Sequence, residues 1–422
     1  MRLVVLSMVL LISTLSFGSF EDSFFNKTLR VDYYHSGDYQ SEYYSLDEAK
    51  IEPYWGGSFK NLVDTFYYGQ YYFKVFDKET DSLIYSRGYG TLFGEWQTTA
   101  EAKVTTRSFT ETVVCPLPKK DALIVFYNRD EKGEFIKQFE YNYQTKNYFI
   151  SPERNLSFAS FDAYISGPSD KSVDIVVIPE GYTQEEMGKF ISDCQNFAEV
   201  LFSFEPYSKY KDKFNIRGVL SPSKETGSDI PADSVWTNTI MNSSFYTFDS
   251  ERYCMTYDNK SVRDLAANAP YDQIYILVNS EKYGGGAIYN YYSLSVNSNA
   301  HAAKIFIHEL GHGFAGLGDE YYTSAVAYSD FYPLEREPWE PNLTTLVNFD
   351  SKWKNLLSKK TPIPTPETKK YLDKTGVFEG GGYAAKGVYR PAYDCLMNSF
   401  KVDHFCEVCE QAIEQMIIFY TD

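Results

Sequence analysis

The sequence predicts a multidomain chain: an all-β, sandwich-like amino-terminal domain followed by an α/β or α+β domain. Three observations carry this expectation. Short alternating segments broken by turn residues run from residue 20 to about residue 150. The apolar run Val173-Asp174-Ile175-Val176-Val177-Ile178-Pro179 reads as a buried central strand, and helical spacing follows it. The length of 422 residues, 43% of them hydrophobic, is enough for more than one core and excludes a disordered chain. The formal charge of −17 argues against a nucleic-acid partner held by a basic footprint.

Residues 1–18 place Arg2 ahead of an apolar run over residues 3–12, with the small residues Ser16 and Gly18 at the end. This pattern is that of a cleaved signal peptide, and the run is too short to cross a bilayer. An exported protein is expected, periplasmic, cell-surface or secreted, with no transmembrane segment after signal removal. The first domain is assigned to residues 19–160. Gln70-Tyr71-Tyr72-Phe73-Lys74-Val75-Phe76-Asp77 and Ala122-Leu123-Ile124-Val125-Phe126-Tyr127-Asn128 are its clearest strands, and their spacing suggests a sandwich. No cluster of His, Cys and carboxylates occurs there, so an accessory role is expected.

The second domain is assigned to residues 161–422. After its first strand, Thr183 and Glu186 form a capping box for a helix carrying Phe190, Ile191, Cys194, Phe197, Ala198 and Leu201 on one face. A strand is read from Gln273 to Asn279. Gly284-Gly285-Gly286 then leads into an extended stretch from Ala287 to Tyr292.

The chemistry is concentrated in Ile305-Phe306-Ile307-His308-Glu309-Leu310-Gly311-His312, with Asn297-Ser298-Asn299 ahead of it as candidate caps. On a helix, His308 and His312 lie one turn apart on one face, so both imidazoles reach one zinc while Glu309 sits beside the metal's open position. A catalytic zinc needs a third protein ligand. Gly316 and Gly318 are expected to end the helix and turn the chain back, bringing Asp319 to the metal, with the adjacent Glu320 as competitor.

This pattern resembles the metzincin-like zinc peptidases, although glycine and acid both fall one residue later than in their motif, because Gly313-Phe314-Ala315 separates His312 from Gly316. Asp394-Cys395-Leu396-Met397-Asn398-Ser399 resembles their methionine turn and places Met397 beneath the metal. Over nearly the whole mature chain the sequence is similar to the bacterial IgA peptidases, family sixty-four of the metallopeptidases. The similar stretches include residues 92–99, Glu180-Gly181-Tyr182-Thr183, the zinc helix through Tyr322, residues 337–342, residues 362–366, Lys386-Gly387-Val388-Tyr389-Arg390-Pro391 and residues 394–397. The resemblance implies an amino-terminal β-domain joined to a metzincin-like zinc endopeptidase domain, with immunoglobulin A or another glycoprotein among its substrates.

The chemistry expected is Glu309 as the base for a zinc-activated water. Tyr321, Tyr322, Tyr389 and Tyr393 are candidate oxyanion donors. Gly286, Ala287 and Ile288 are candidate substrate-binding residues on an edge strand that takes an extended peptide. The stretch from residue 331 to residue 382, rich in Pro and Gly, is expected to form cleft walls. The six cysteines permit disulfides, and Cys395 with Cys406 or Cys409 is a candidate pair, but the connectivity is not readable from the sequence; His301 and His404 are read as surface or packing residues. Zinc is the one cofactor expected; the acidic composition leaves room for calcium, but no stretch matches an EF-hand loop. The competing reading is a cell-surface glycoprotein-binding or adhesion protein with a vestigial peptidase domain. The intact Glu309 speaks against it, since zinc binding alone does not need that residue.

Overall fold

A computed structural model describes residues 19–322 and 332–422. The expected signal peptide lies outside the described residues, as does Phe331 at the start of the expected cleft wall. Among the described residues, no helix is long and apolar enough to cross a membrane.

The chain opens with α1 (Phe20–Ser23), β1 (Phe24–Gly37), β2 (Glu42–Glu52), β3 (Tyr71–Asp77), β4 (Leu83–Tyr89), α2 (Leu92–Gln97), β5 (Arg107–Pro118), β6 (Ala122–Arg129), β7 (Phe135–Tyr143) and β8 (Ser151–Pro152). These strands form two four-stranded sheets, ordered β5-β1-β2-β8 and β4-β3-β6-β7. Alternate residues of the two sheets meet in one core: Leu29, Val31 and Tyr33 from β1 pack with Phe73 and Val75 from β3 and Ile124 and Phe126 from β6. Each sheet buries one face against the other, so period-two patterning is what such strands need.

The remainder comprises β9 (Ser160–Ile165), β10 (Val173–Glu180), α3 (Met187–Leu201), β11 (Phe214–Val219), α4 (Asn259–Ala266), β12 (Gln273–Val278), β13 (Gly285–Ile288), β14 (Tyr292–Val296), α5 (Ala302–Ala315), β15 (Phe378–Gly381), β16 (Ala384–Arg390) and α6 (Glu407–Thr421). Six strands form a mixed sheet, ordered β13-β14-β12-β10-β11-β9. The central strands β11, β10, β12 and β14 are parallel neighbours, and the edge strands β9 and β13 are antiparallel. Every residue of β10 is buried because both faces are covered. Val173, Ile175 and Val177 face α3, α5 and α6, whereas Val176 and Ile178 face α4 and also α2, which comes from the amino-terminal half.

Three local expectations are corrected. The capping box of Thr183 and Glu186 forms, but it opens a short 3-10 turn before α3 begins at Met187. The stretch from Ala287 to Tyr292 is not one extended segment: β13 turns at Tyr289-Asn290-Tyr291, with Asn290 in the left-handed region at φ 52°, and returns as β14. No asparagine side chain caps α5 directly; Asn299 Oδ1 accepts the backbone N–H of His301, the residue ahead of the helix, at 2.9 Å.

Candidate active site

Helix α5 lies across β13 and β14, close enough that a Cβ at Gly313 would stand 2.2 Å from Ser293 Oγ. That close approach brings the His308–His312 face towards the edge of the sheet. The helix ends at Gly316, whose φ of 65° suits glycine, and the N–H groups of Gly316 and Leu317 return to the carbonyls of His312 and Gly311. Gly316 performs this reversal alone. Gly318 instead is clamped by Asn342, which accepts its N–H at 2.7 Å and donates to its carbonyl at 2.8 Å.

The reversal brings three side chains together. The Nε2 atoms of His308 and His312 are 3.1 Å apart, and Asp319 Oδ1 lies 3.1 Å from the first and 3.3 Å from the second. A tetrahedral zinc with bonds of about 2.0 Å separates its nitrogen and oxygen ligands by about 3.3 Å, so this triangle has the dimensions of one face of such a site. Asp319 Oδ1 is buried and, among the described residues, receives no well-aligned hydrogen bond. His308 Nδ1 donates to the carbonyl of Leu396 at 3.0 Å and His312 Nδ1 to that of Leu317 at 2.6 Å, leaving both Nε2 atoms with their lone pairs directed inward. The residues present therefore fit a metal. Glu320, the competing ligand, points away from this triangle.

Charge is balanced within the group. Burial would raise the Asp319 carboxyl, but His312 and His308 hold it well below the usual carboxylate range. Burial would lower His312, yet Asp319 beside it pushes it up to about 9. Glu309 is raised by burial, with the two histidines opposing the shift and Asp319 adding to it.

Met397 lies under the helix: a Cβ at Gly311 would stand 3.1 Å from its Sδ. The turn carrying it closes through the N–H groups of Asn398 and Ser399, both donating to Cys395 O at 2.8 and 2.9 Å. Leu396, one residue earlier, supplies the carbonyl that orients His308, so the turn carrying Met397 and the triangle form one unit.

The triangle opens into a cleft of about 760 Å³, with Glu309 on its wall and Gly285, Gly286, Ala287 and Ile288 along one side. A Cβ on Gly285 would stand 3.0 Å from Glu309 Oε1. Strand β13 is an edge strand, but the segment 252–254 covers its outer side at Gly285, whose N–H and carbonyl bond Arg252 O and Cys254 N. Alternation along an antiparallel pair turns the backbone groups of Gly286 and Ile288 towards β14 and those of Ala287 outward.

Of the four candidate tyrosines, Tyr321 lines the cleft, its hydroxyl accepting from Arg252 Nη2 at 3.0 Å; Tyr322, Tyr389 and Tyr393 lie outside the lining. Tyr332 and Trp339, from the segment expected to form walls, do line it. His404 and His301 are exposed and away from the triangle. Several contributors were missed from sequence. Tyr383 donates its hydroxyl to Asp319 Oδ2. Glu95, from α2, accepts from the Tyr253 hydroxyl and is pushed up to about 7 by burial, an effect that this hydrogen bond opposes. The stretch carrying Glu95 was the one amino-terminal signal available. The expected disulfides do not form: all six cysteines are free.

A family model described as IgA Peptidase M64 matches residues 162–375 and 367–417, and one described as Peptidase M64 N-terminus matches residues 19–140. No curated protein matches the chain.

Proposed function

The chain belongs to the IgA peptidase M64 family, and on that premise we propose that it is an exported zinc endopeptidase whose metal is held by His308, His312 and Asp319. The observation that carries this reading is the triangle of ligand atoms 3.1–3.3 Å apart, with Glu309 on the wall of the same cleft. We assign residues 19–160 to a β-sandwich-like domain and residues 161–422 to a metzincin-like peptidase domain, with Met397 in the methionine turn.

When bound, zinc supplies the Lewis acidity that makes a water nucleophilic and polarises the scissile carbonyl. Glu309 takes a proton from the attacking water at its carboxylate and delivers it to the nitrogen of the leaving amine. Ala287, with its outward N–H and carbonyl, holds an extended peptide along β13, while Gly285 keeps the space beside Glu309 open. Leu396 and Leu317 fix the imidazoles through their carbonyls, so the metal-binding nitrogens need no reorganisation. Protein or peptide substrates follow from the family, and immunoglobulin A is the first glycoprotein to try.

Glu309→Gln tests the assignment, because the amide keeps the shape and cannot take the proton. The expected outcome is retained metal and loss of cleavage across a panel of unfolded proteins and immunoglobulin A. Cleavage at the native rate by this variant would remove Glu309 from the mechanism.

A further inference from the structure

Outside the cleft, a second group of metal-ligating side chains lies behind the methionine turn. Glu320, adjacent to Asp319 but directed to the opposite side of the chain, places Oε1 at 3.2 Å from Cys409 Sγ and 4.0 Å from Cys406 Sγ. Cys395 Sγ lies 3.9 Å from Cys409 Sγ, and the four ligand atoms are all within 4.8 Å of one another. We propose that Glu320, Cys395, Cys406 and Cys409 bind a second, structural zinc ion.

The distances select a metal over a disulfide. A disulfide would bring two sulfurs to about 2.05 Å. A tetrahedral zinc with bonds of about 2.3 Å to sulfur and about 2.0 Å to oxygen sets sulfurs about 3.8 Å apart and a sulfur–oxygen pair about 3.5 Å apart. The observed 3.9 Å and the 3.2–4.0 Å pair match those edges. The environment suits thiolates as well. Cys406 occupies the position capping α6 and Cys409 lies in its first turn, where the helix dipole favours negative charge. The Cys406 N–H also points at Cys395 Sγ, at 3.2 Å.

Glu320 is fully buried, and its Oε2 has no hydrogen-bond partner among the described residues. A carboxylate taken out of water in this way is stabilised by coordination. Soft thiolates favour zinc over calcium or magnesium, and four protein ligands leave no open position, which marks a structural site. The site joins three parts of the chain: the residue after Asp319, the residue before Leu396, and the start of α6. It therefore holds both Asp319 and the carbonyl that orients His308.

The test uses the full chain carrying His308→Ala and His312→Ala, so that the cleft cannot contribute metal. That variant is expected to retain about one zinc ion per chain. After exchange to cobalt it should show thiolate-to-cobalt charge-transfer absorption, and six thiols should react once the metal is chelated under denaturing conditions. Adding Cys409→Ser should lower the charge-transfer band by at least one thiolate's share, about one third, and an unchanged band would overturn the assignment. The proposal is overturned if the double-histidine variant holds no zinc, if its cobalt form lacks the thiolate band, or if only four thiols react because two cysteines are oxidised to each other.

Discussion

At the scale of single residues, the site depends on groups that hold its members in place. Tyr383 donates to Asp319 Oδ2, so Tyr383→Phe removes a hydrogen bond from the proposed third ligand without altering the other two. The expected effect is a loss of about 10–100-fold in metal affinity, read by competition with a chelator. Glu111 offers a separate check through pH. Buried beside the Phe93 N–H, which donates to it at 3.1 Å, it is pushed up to about 8 by burial against that bond. The folded protein therefore keeps a proton on Glu111 that the unfolded chain releases near pH 4.5. Its contribution to stability is full below that pH and is lost as the pH rises towards about 8, at no more than about 1.4 kcal/mol per pH unit. Denaturant unfolding across that range should show a shallower pH dependence for Glu111→Gln than for the native chain.

Residue-level legibility was uneven for physical reasons. His308, Glu309 and His312 were readable because the spacing of four residues fixes their relation on any helix. Asp319 and Glu320 were not separable, since neighbours in non-helical chain point to opposite sides, and which side meets His308 and His312 depends on long-range contacts such as the clamp of Asn342 on Gly318. Tyr383 and Glu95 reach the cleft through long-range folding that carries no local signal. The disulfides permitted by the cysteine count do not form; count alone says nothing about Glu320, which lies beside Cys409 although it is 75 residues before Cys395 in sequence.

At the scale of elements, the approach of α5 to the hairpin of β13 and β14 sets the cleft. A methyl group on Gly313 would meet Ser293 Oγ first, with Ala287 Cβ at an ordinary 3.8 Å. Gly313→Ala alone should lower stability by about 1–3 kcal/mol and reduce turnover. In a Ser293→Ala background the same substitution should be close to neutral, because the clash is gone and alanine favours helix; thermal unfolding of the four proteins closes the cycle. The apolar strand β10 and the amphipathic α3 were legible from their periodicities. The hairpin was read as one extended stretch because tyrosines flank the turn on both sides and its left-handed residue is Asn290 rather than glycine.

At the scale of the whole molecule, the two halves are joined rather than tethered. Helix α2 packs Leu92, Phe93 and Trp96 into the core of the six-stranded sheet, and Gly90 N–H bonds Tyr289 O at 2.8 Å beside the cleft. Arg30, fully buried in β1, pairs with Asp32 and reaches Asp264 of α4 at 2.6 Å, while Glu52 and Glu153 lie close by. Arg30→Met leaves these carboxylates without their central cation and should cost about 3–5 kcal/mol, seen as a lower denaturation midpoint. The first half was legible as a sandwich, but its share in the cleft was not, because alternation identifies a strand's buried face without naming what covers it.

The most direct test of the central claim is anomalous scattering at the zinc edge from crystals of the zinc-replete native protein. The account predicts a peak about 2 Å from His308 Nε2, His312 Nε2 and Asp319 Oδ1, facing Glu309 across the cleft. An empty triangle, or a zinc bound by the two histidines with Asp319 turned away, would contradict it.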